Sequence, residues 1–138
     1  MAAYLSLFGW SFLAASLIPV ASEPALVAMV LRTRETLLPV AVASMGNYLG
    51  AVTTYLLAGV LARRVAERWR KPAGARAAGL MRRYGPPALL LSWVPVVGDG
   101  IVAAAGVARV PFWPFSLWVL LGKVSRYAAV AWLATRAR

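Results

Sequence analysis

The stretch Leu17-Ile18-Pro19-Val20-Ala21-Ser22-Glu23 returns 76 positions later as Trp93-Val94-Pro95-Val96-Val97-Gly98-Asp99. In both copies an apolar run meets a proline, and an acid follows four residues on. The same offset carries Gly46 onto Gly122 and Asn47 onto Lys123. One constant shift across these positions, without a gap, marks an internal repeat. Proline removes a backbone hydrogen bond and breaks a helix. Pro19 and Pro24 bracket Glu23, and Pro95, Gly98 and Gly100 surround Asp99.

These breaks lie in the middle of apolar blocks. Residues 1–31 carry only Glu23, residues 37–62 carry no charge, residues 84–108 carry only Asp99, and residues 110–135 carry only Lys123 and Arg126. About 20 apolar residues span a bilayer as a helix, so each block is long enough. The first block is not a signal peptide, because it lacks a basic start and its apolar run is interrupted by an acid. Over the whole chain of 138 residues, 62% are hydrophobic and 14% charged, against roughly 25% charged in soluble domains. Too little polar surface remains to cover a soluble core, and disorder is excluded by the same figures. The composition indicates a multi-pass integral membrane protein, and the expected location is the cell (inner) membrane.

Broken backbone at membrane depth is tolerated only where it is buried in protein or lines a wet cavity. Each half therefore reads as a re-entrant helical hairpin with an acid near its tip, followed by one full span. A hairpin returns the chain to its starting side and the span crosses, so the second half enters from the opposite side. The expected fold is all-α, a single membrane domain over 1–138 of inverted repeats, the design of many secondary transporters. Repeat 1 covers about 4–61 and repeat 2 about 84–135. Glu23 and Asp99 are expected to approach each other near the midplane. The connector 62–83 holds Arg63, Arg64, Arg68, Arg70, Lys71, Arg76, Arg82 and Arg83 against Glu67 alone, and the positive-inside rule places it in the cytoplasm. Arg63, Arg64, Glu67 and Arg68 have helical spacing, which suggests a short interfacial helix broken at Pro72-Ala73-Gly74. A competing topology has four simple spans with both termini inside. Loop charge slightly favours it; the broken, acid-bearing middles of blocks one and three favour hairpins.

The net charge of +11 comes from bases that mostly flank apolar runs, so it reports topology rather than nucleic-acid binding. The chain has no cysteine and no histidine, and its four acids are Glu23, Glu35, Glu67 and Asp99. Disulfides, thiol nucleophiles, histidine bases and the common zinc sites are excluded. Neither a metal nor a cofactor is expected. Asp99-Gly100-x-x-Ala103 matches the start of a CDP-alcohol phosphotransferase signature, but that chemistry needs further acids downstream, and none follows. The chain is read as a non-enzyme.

The residues Pro19-Val20-Ala21-Ser22-Glu23, Gly46-Asn47-Tyr48-Leu49-Gly50 with Tyr55, Arg83-Tyr84-Gly85, Ser92-Trp93-Val94-Pro95-Val96-Val97-Gly98-Asp99, Ala105-Gly106 and Gly122-Lys123 with Arg126-Tyr127 resemble the DedA-type membrane proteins. These share the VTT, or SNARE-associated, domain, and the chain is most similar to their short YqaA-like branch. The resemblance spans nearly the whole chain. It implies paired re-entrant loops and a role in moving lipids across membranes, with phospholipids or undecaprenyl phosphate as substrates and proton coupling. Larger members carry an arginine before and after the proline of the second loop, where this chain has Ser92 and Gly98. They also carry Gly-Asp where this chain has Gly50-Ala51.

Glu23 and Asp99 lead the candidate site. An intramembrane carboxylate is costly; these two either exchange protons and contact a polar substrate, or accept hydrogen bonds from the freed N–H groups of their broken helices. Lys123 and Arg126, three apart, share one face of the last span and either pair with the acids or bind phosphate, for which the guanidinium fork is suited. Asn47, the repeat counterpart of Lys123, is placed to reach the same site. Gly46 and Gly50 form a Gly-x-x-x-Gly packing face. Arg82 and Arg83 are candidate lipid-headgroup contacts at the start of the second hairpin. Trp10, Trp69, Trp113, Trp118 and Trp132 suit an interfacial belt, while Trp93 sits beside the loop proline. The expected function is transport or scrambling of a lipid or small anionic solute through a midplane site built from Glu23 and Asp99, with protons as the coupling ion. The alternative is a non-transporting protein of membrane organisation or assembly. The expected partners are membrane lipids and a second copy of the chain as a homodimer.

Overall fold

The computed structural model describes residues 1–16, 21–68, 72–94 and 97–137, with only the backbone described for 16, 65, 66, 68 and 72–74. Among the described residues every regular element is helical: α1 (Ala2–Ser16), α2 (Glu23–Thr33), α3 (Leu37–Val60), α4 (Ala62–Arg68), α5 (Pro72–Tyr84), a 3₁₀ segment (Pro86–Trp93), α6 (Val97–Val107) and α7 (Phe112–Arg136). The repeat prolines Pro19 and Pro95 and the interfacial candidate Trp69 lie outside the described residues.

The described prolines punctuate this order. Pro24, Pro39, Pro72 and Pro114 each fall in the first turn of a helix, where the missing N–H has no intrahelical acceptor to lose. This corrects the expected break at Pro72-Ala73-Gly74. Pro72 opens α5 and the helix runs through all three residues, because proline at a first turn starts a helix rather than ending it. The expected helix over the Arg63–Arg68 cluster is present as α4. α2 ends where Arg34 turns left-handed at φ 59° and its N–H caps the Val30 carbonyl.

Two helices have the length and composition to cross a bilayer, α3 with 24 residues and α7 with 25. At 1.5 Å per residue they reach about 36 Å and about 37 Å. α1 has 15 residues and α2 has 11, so they reach only about 22 Å and about 16 Å, short of the roughly 30 Å hydrocarbon layer. The exposed surface is strongly apolar: Val60 is 82% exposed, Leu5 68%, Leu133 60% and Leu117 58%. A soluble monomer rarely presents such surface; hydrocarbon is its natural solvent.

Contacts divide the chain into two compact units, Met1–Gly50 with Lys123–Arg138, and Ala51–Gly122. In the first, α1, α2, the start of α3 and the end of α7 share a core of Leu7, Leu26, Val30, Ala43, Tyr127 and Ala131. α1 and α2 run antiparallel. Tyr4 Oη donates to Glu35 Oε2 at 3.3 Å near one end, and Trp10 Nε1 donates to the Ala21 carbonyl at 3.2 Å near the other. α1 lies on the Gly-x-x-x-Gly face of α3. A Cβ on Gly46 would stand 2.5 Å from the Phe8 carbonyl oxygen, and one on Gly50 would strike the Phe12 carbonyl. The packing reading of these glycines holds: without side chains the two backbones meet directly.

In the second unit α5 packs on α6 and on the 3₁₀ segment. Ala77 and Met81 are the buried face of α5, so much of the basic connector is a packed amphipathic helix. The Tyr55 ring stacks on Phe115 with centroids 4.2 Å apart, and its hydroxyl donates to the Val110 carbonyl at 2.6 Å. Gly106 passes so close to the Tyr55 carbonyl that a Cβ would collide with it.

Candidate functional site

α2 begins at Ser22, which sits at the N-cap position yet makes no capping hydrogen bond. Its hydroxyl is engaged elsewhere: Ser22 Oγ and Tyr127 Oη form a buried hydrogen bond of 2.5 Å. The residue after Ser22 and the residue before Tyr127 repeat the pairing with charge, as Glu23 Oε1 forms an ion pair with Arg126. Two successive contacts therefore fasten the first turn of α2 to the middle of α7. Arg126 and Glu23 keep 18% and 23% of their side-chain surface exposed, so the pair is largely removed from solvent while one edge stays reachable.

Lys123, one turn before Arg126 on α7, is only 2% exposed. Asn47 on α3 is also buried, and its amide nitrogen donates to the Ser11 carbonyl at 3.0 Å. Asn47 Oδ1 and the hydroxyls of Ser11 and Ser44 find no partner among the described residues. A buried polar oxygen without a partner costs about 1–3 kcal/mol, so apolar packing alone does not explain this set.

The structure thus brings Glu23 and Arg126 together and places Asn47 and Lys123 in the same compact unit. Asp99 stands in the first turn of α6, half-buried, in the second unit. Arg82 and Arg83 are exposed in the last turn of α5, where positive charge complements the helix dipole; Arg83 lies against the Tyr84 ring at 5.4 Å. Ser22 and Tyr127 were not singled out as site residues in the sequence. Both stand in the motifs that carry the family resemblance, each beside a charged residue in an apolar run.

Charged residues inside helices of this length and apolarity define an integral membrane protein with a polar interior. The VTT domain matches residues 18–135. The chain is 43% identical over 127 residues to inner membrane protein YqaA of Escherichia coli (strain K12), covering 91% of this chain and 87% of that protein. The same figures hold for inner membrane protein YqaA of Shigella flexneri. A protein of Haemophilus influenzae, described as uncharacterized, is 38% identical over 133 residues, covering 91% of this chain and 83% of its own. No solved structure matches the chain. The chain belongs to the VTT-domain, or DedA-type, family, and it is an inner-membrane protein.

Proposed function

We propose that the protein moves a lipid or small anionic solute across the inner membrane in step with protons, using the polar interior around Glu23 and Arg126. The observation that carries this reading is the Glu23–Arg126 ion pair within a span, beside a buried Lys123. A simple anchor gains nothing from charges that cost roughly 2.5–3.5 kcal/mol each at the centre of a helix. Here they are held together and kept partly accessible. An ionised Glu23 occupies the guanidinium fork of Arg126. A proton arriving on Glu23 releases that fork, which then accepts a phosphate or another anion. Carboxylate and substrate thus compete for one cation, so proton and anion are taken up together. The unpartnered oxygens of Ser11, Ser44 and Asn47 supply polar lining in the same unit. Asp99, the repeat counterpart of Glu23, is the second protonatable carboxylate.

The architecture that goes with this function is a pair of inverted repeats. In support, α2 and α6 each have 11 residues, and α3 and α7 have 24 and 25. α2 and α6 are each followed by a left-handed arginine, Arg34 and Arg109. α1 and α2 are antiparallel arms too short to span, as a re-entrant hairpin requires. Two hairpins and two spans keep 62–83 in the cytoplasm and both termini outside.

The test is a reconstituted liposome assay of labelled phospholipid movement, with and without a pH gradient. Wild-type protein is expected to accelerate movement and to respond to the gradient. Glu23→Gln and Asp99→Asn are expected to insert normally and abolish activity, because an amide keeps the size but cannot exchange a proton. Full activity in both variants would remove the proton relay. Inactive wild-type liposomes would leave the role in membrane organisation.

A further inference from the structure

A groove of about 470 Å³ runs along the outside of the α1–α2 pair. Its floor is Leu7 and Met29, both buried in the core. It is a groove because Ala3, Ala25 and Ala28 line it, where larger side chains would fill the space between the helices. Trp10 closes one end, pinned by its hydrogen bond to the Ala21 carbonyl. At the other end stands Arg32, exposed, with no ion pair among the described residues. Ser6, also on the wall, gives its hydroxyl hydrogen to the Ala2 carbonyl and leaves the interior without a free donor. Arg34 and Glu35, two and three residues further on, carry opposite charges, so Arg32 sets the net charge of that end.

We infer that this groove holds one acyl chain of an anionic phospholipid, with the lipid phosphate on Arg32. The apolar trough needs a slim apolar guest. Its volume lies near the lower end of small-ligand sites, about 300–1,000 Å³, and a helix about 10 Å across does not enter it. The lone guanidinium at one rim selects a negative headgroup rather than a neutral one. Ala3 to Trp10, seven residues of α1, measure about 10 Å, so the chain lies along the helix pair with its headgroup at the end where α1 starts and α2 finishes. The orientation in the bilayer rests on the hairpin reading above. That reading puts Arg32 at headgroup level and Trp10 deeper, so the bound lipid keeps its normal direction in the leaflet.

Native mass spectrometry of the full-length protein in detergent tests this, with phosphatidylglycerol and phosphatidylcholine of identical acyl chains and with glycerol 3-phosphate. The wild type is expected to retain one phosphatidylglycerol, to hold phosphatidylcholine about fivefold more weakly, the factor that follows from about 1 kcal/mol per basic residue at an anionic surface, and to leave glycerol 3-phosphate free. Ala28→Phe fills the trough from an exposed position and is expected to lose both lipids. Ala3→Leu fills it from the other wall and is expected to do the same. Arg32→Gln is expected to bind both lipids equally. Wild-type binding without headgroup preference, binding of glycerol 3-phosphate alone, or either filled variant retaining lipid as the wild type does overturns the assignment. The readout needs no bilayer and no translocation. Liposomes that fail to move lipid while phosphatidylglycerol stays bound therefore sink the lipid-transport reading and leave this site standing.

Discussion

Removing the guanidinium of Arg126 leaves Glu23 as a carboxylate without its partner, in a site about one-fifth exposed. Breaking a fully buried ion pair from one side costs about 3–5 kcal/mol, and a lone charge at the centre of a span costs roughly 2.5–3.5 kcal/mol on insertion scales. The residual exposure of both side chains argues for the lower end, about 2–3 kcal/mol for Arg126→Ala. Neutralising Glu23 as well removes the orphaned charge, so Glu23→Gln with Arg126→Ala is expected to recover at least about 1 kcal/mol of that loss. This exceeds the roughly 0.6 kcal/mol average coupling of interhelical hydrogen bonds in a membrane, which is what an incidental contact would give. The assay is equilibrium unfolding in mixed micelles for both single variants and the double variant. Asp99→Asn with Arg126→Ala serves as the control and is expected to be additive. Recovery with Asp99→Asn but not with Glu23→Gln would refute the pairing and the proton–anion competition built on it. Additivity in both cycles would mean that Arg126 reaches the interface and is held by neither acid.

Further expectations follow from neighbouring contacts. Ser22→Ala and Tyr127→Phe each remove one end of the same buried hydrogen bond, so each is expected to cost about 1–2 kcal/mol, and the double variant little more than either single in the same unfolding assay. Gly46→Leu drives a side chain into the Phe8 carbonyl and is expected to prevent recovery of folded protein on size-exclusion chromatography, whereas Gly79→Ala, where a Cβ meets nothing within 4 Å, is expected to behave as wild type. Cysteine placed at Ala75 is expected to resist a membrane-impermeant maleimide in intact cells and to react after permeabilisation; rapid labelling of intact cells would overturn the cytoplasmic placement of the connector. A reporter fused after α7 is expected to behave as exported, and a cytoplasmic signal there would support four simple spans.

Membrane class, the two long spans and the interruption of the first apolar block were legible in the sequence, because hydropathy, proline and glycine act locally. The charge of Arg126 in an apolar run also announced that an acid must meet it. Which acid could not be read. Glu23 and Asp99 occupy matching places in the repeat, and nothing in spacing or composition separates them. Tertiary packing chose Glu23, and the same packing set Ser22 against Tyr127, 105 residues away. α5 shows the same boundary. Its arginines read as the charge that fixes the cytoplasmic side, while the burial of Ala77 and Met81 depends on α6, against which α5 packs. Local sequence decides where a chain may stay helical and where it enters lipid. Partner choice between distant charges is a property of the assembled core, since it depends on which helix faces lie within reach once the backbones have closed on residues such as Gly46 and Gly106.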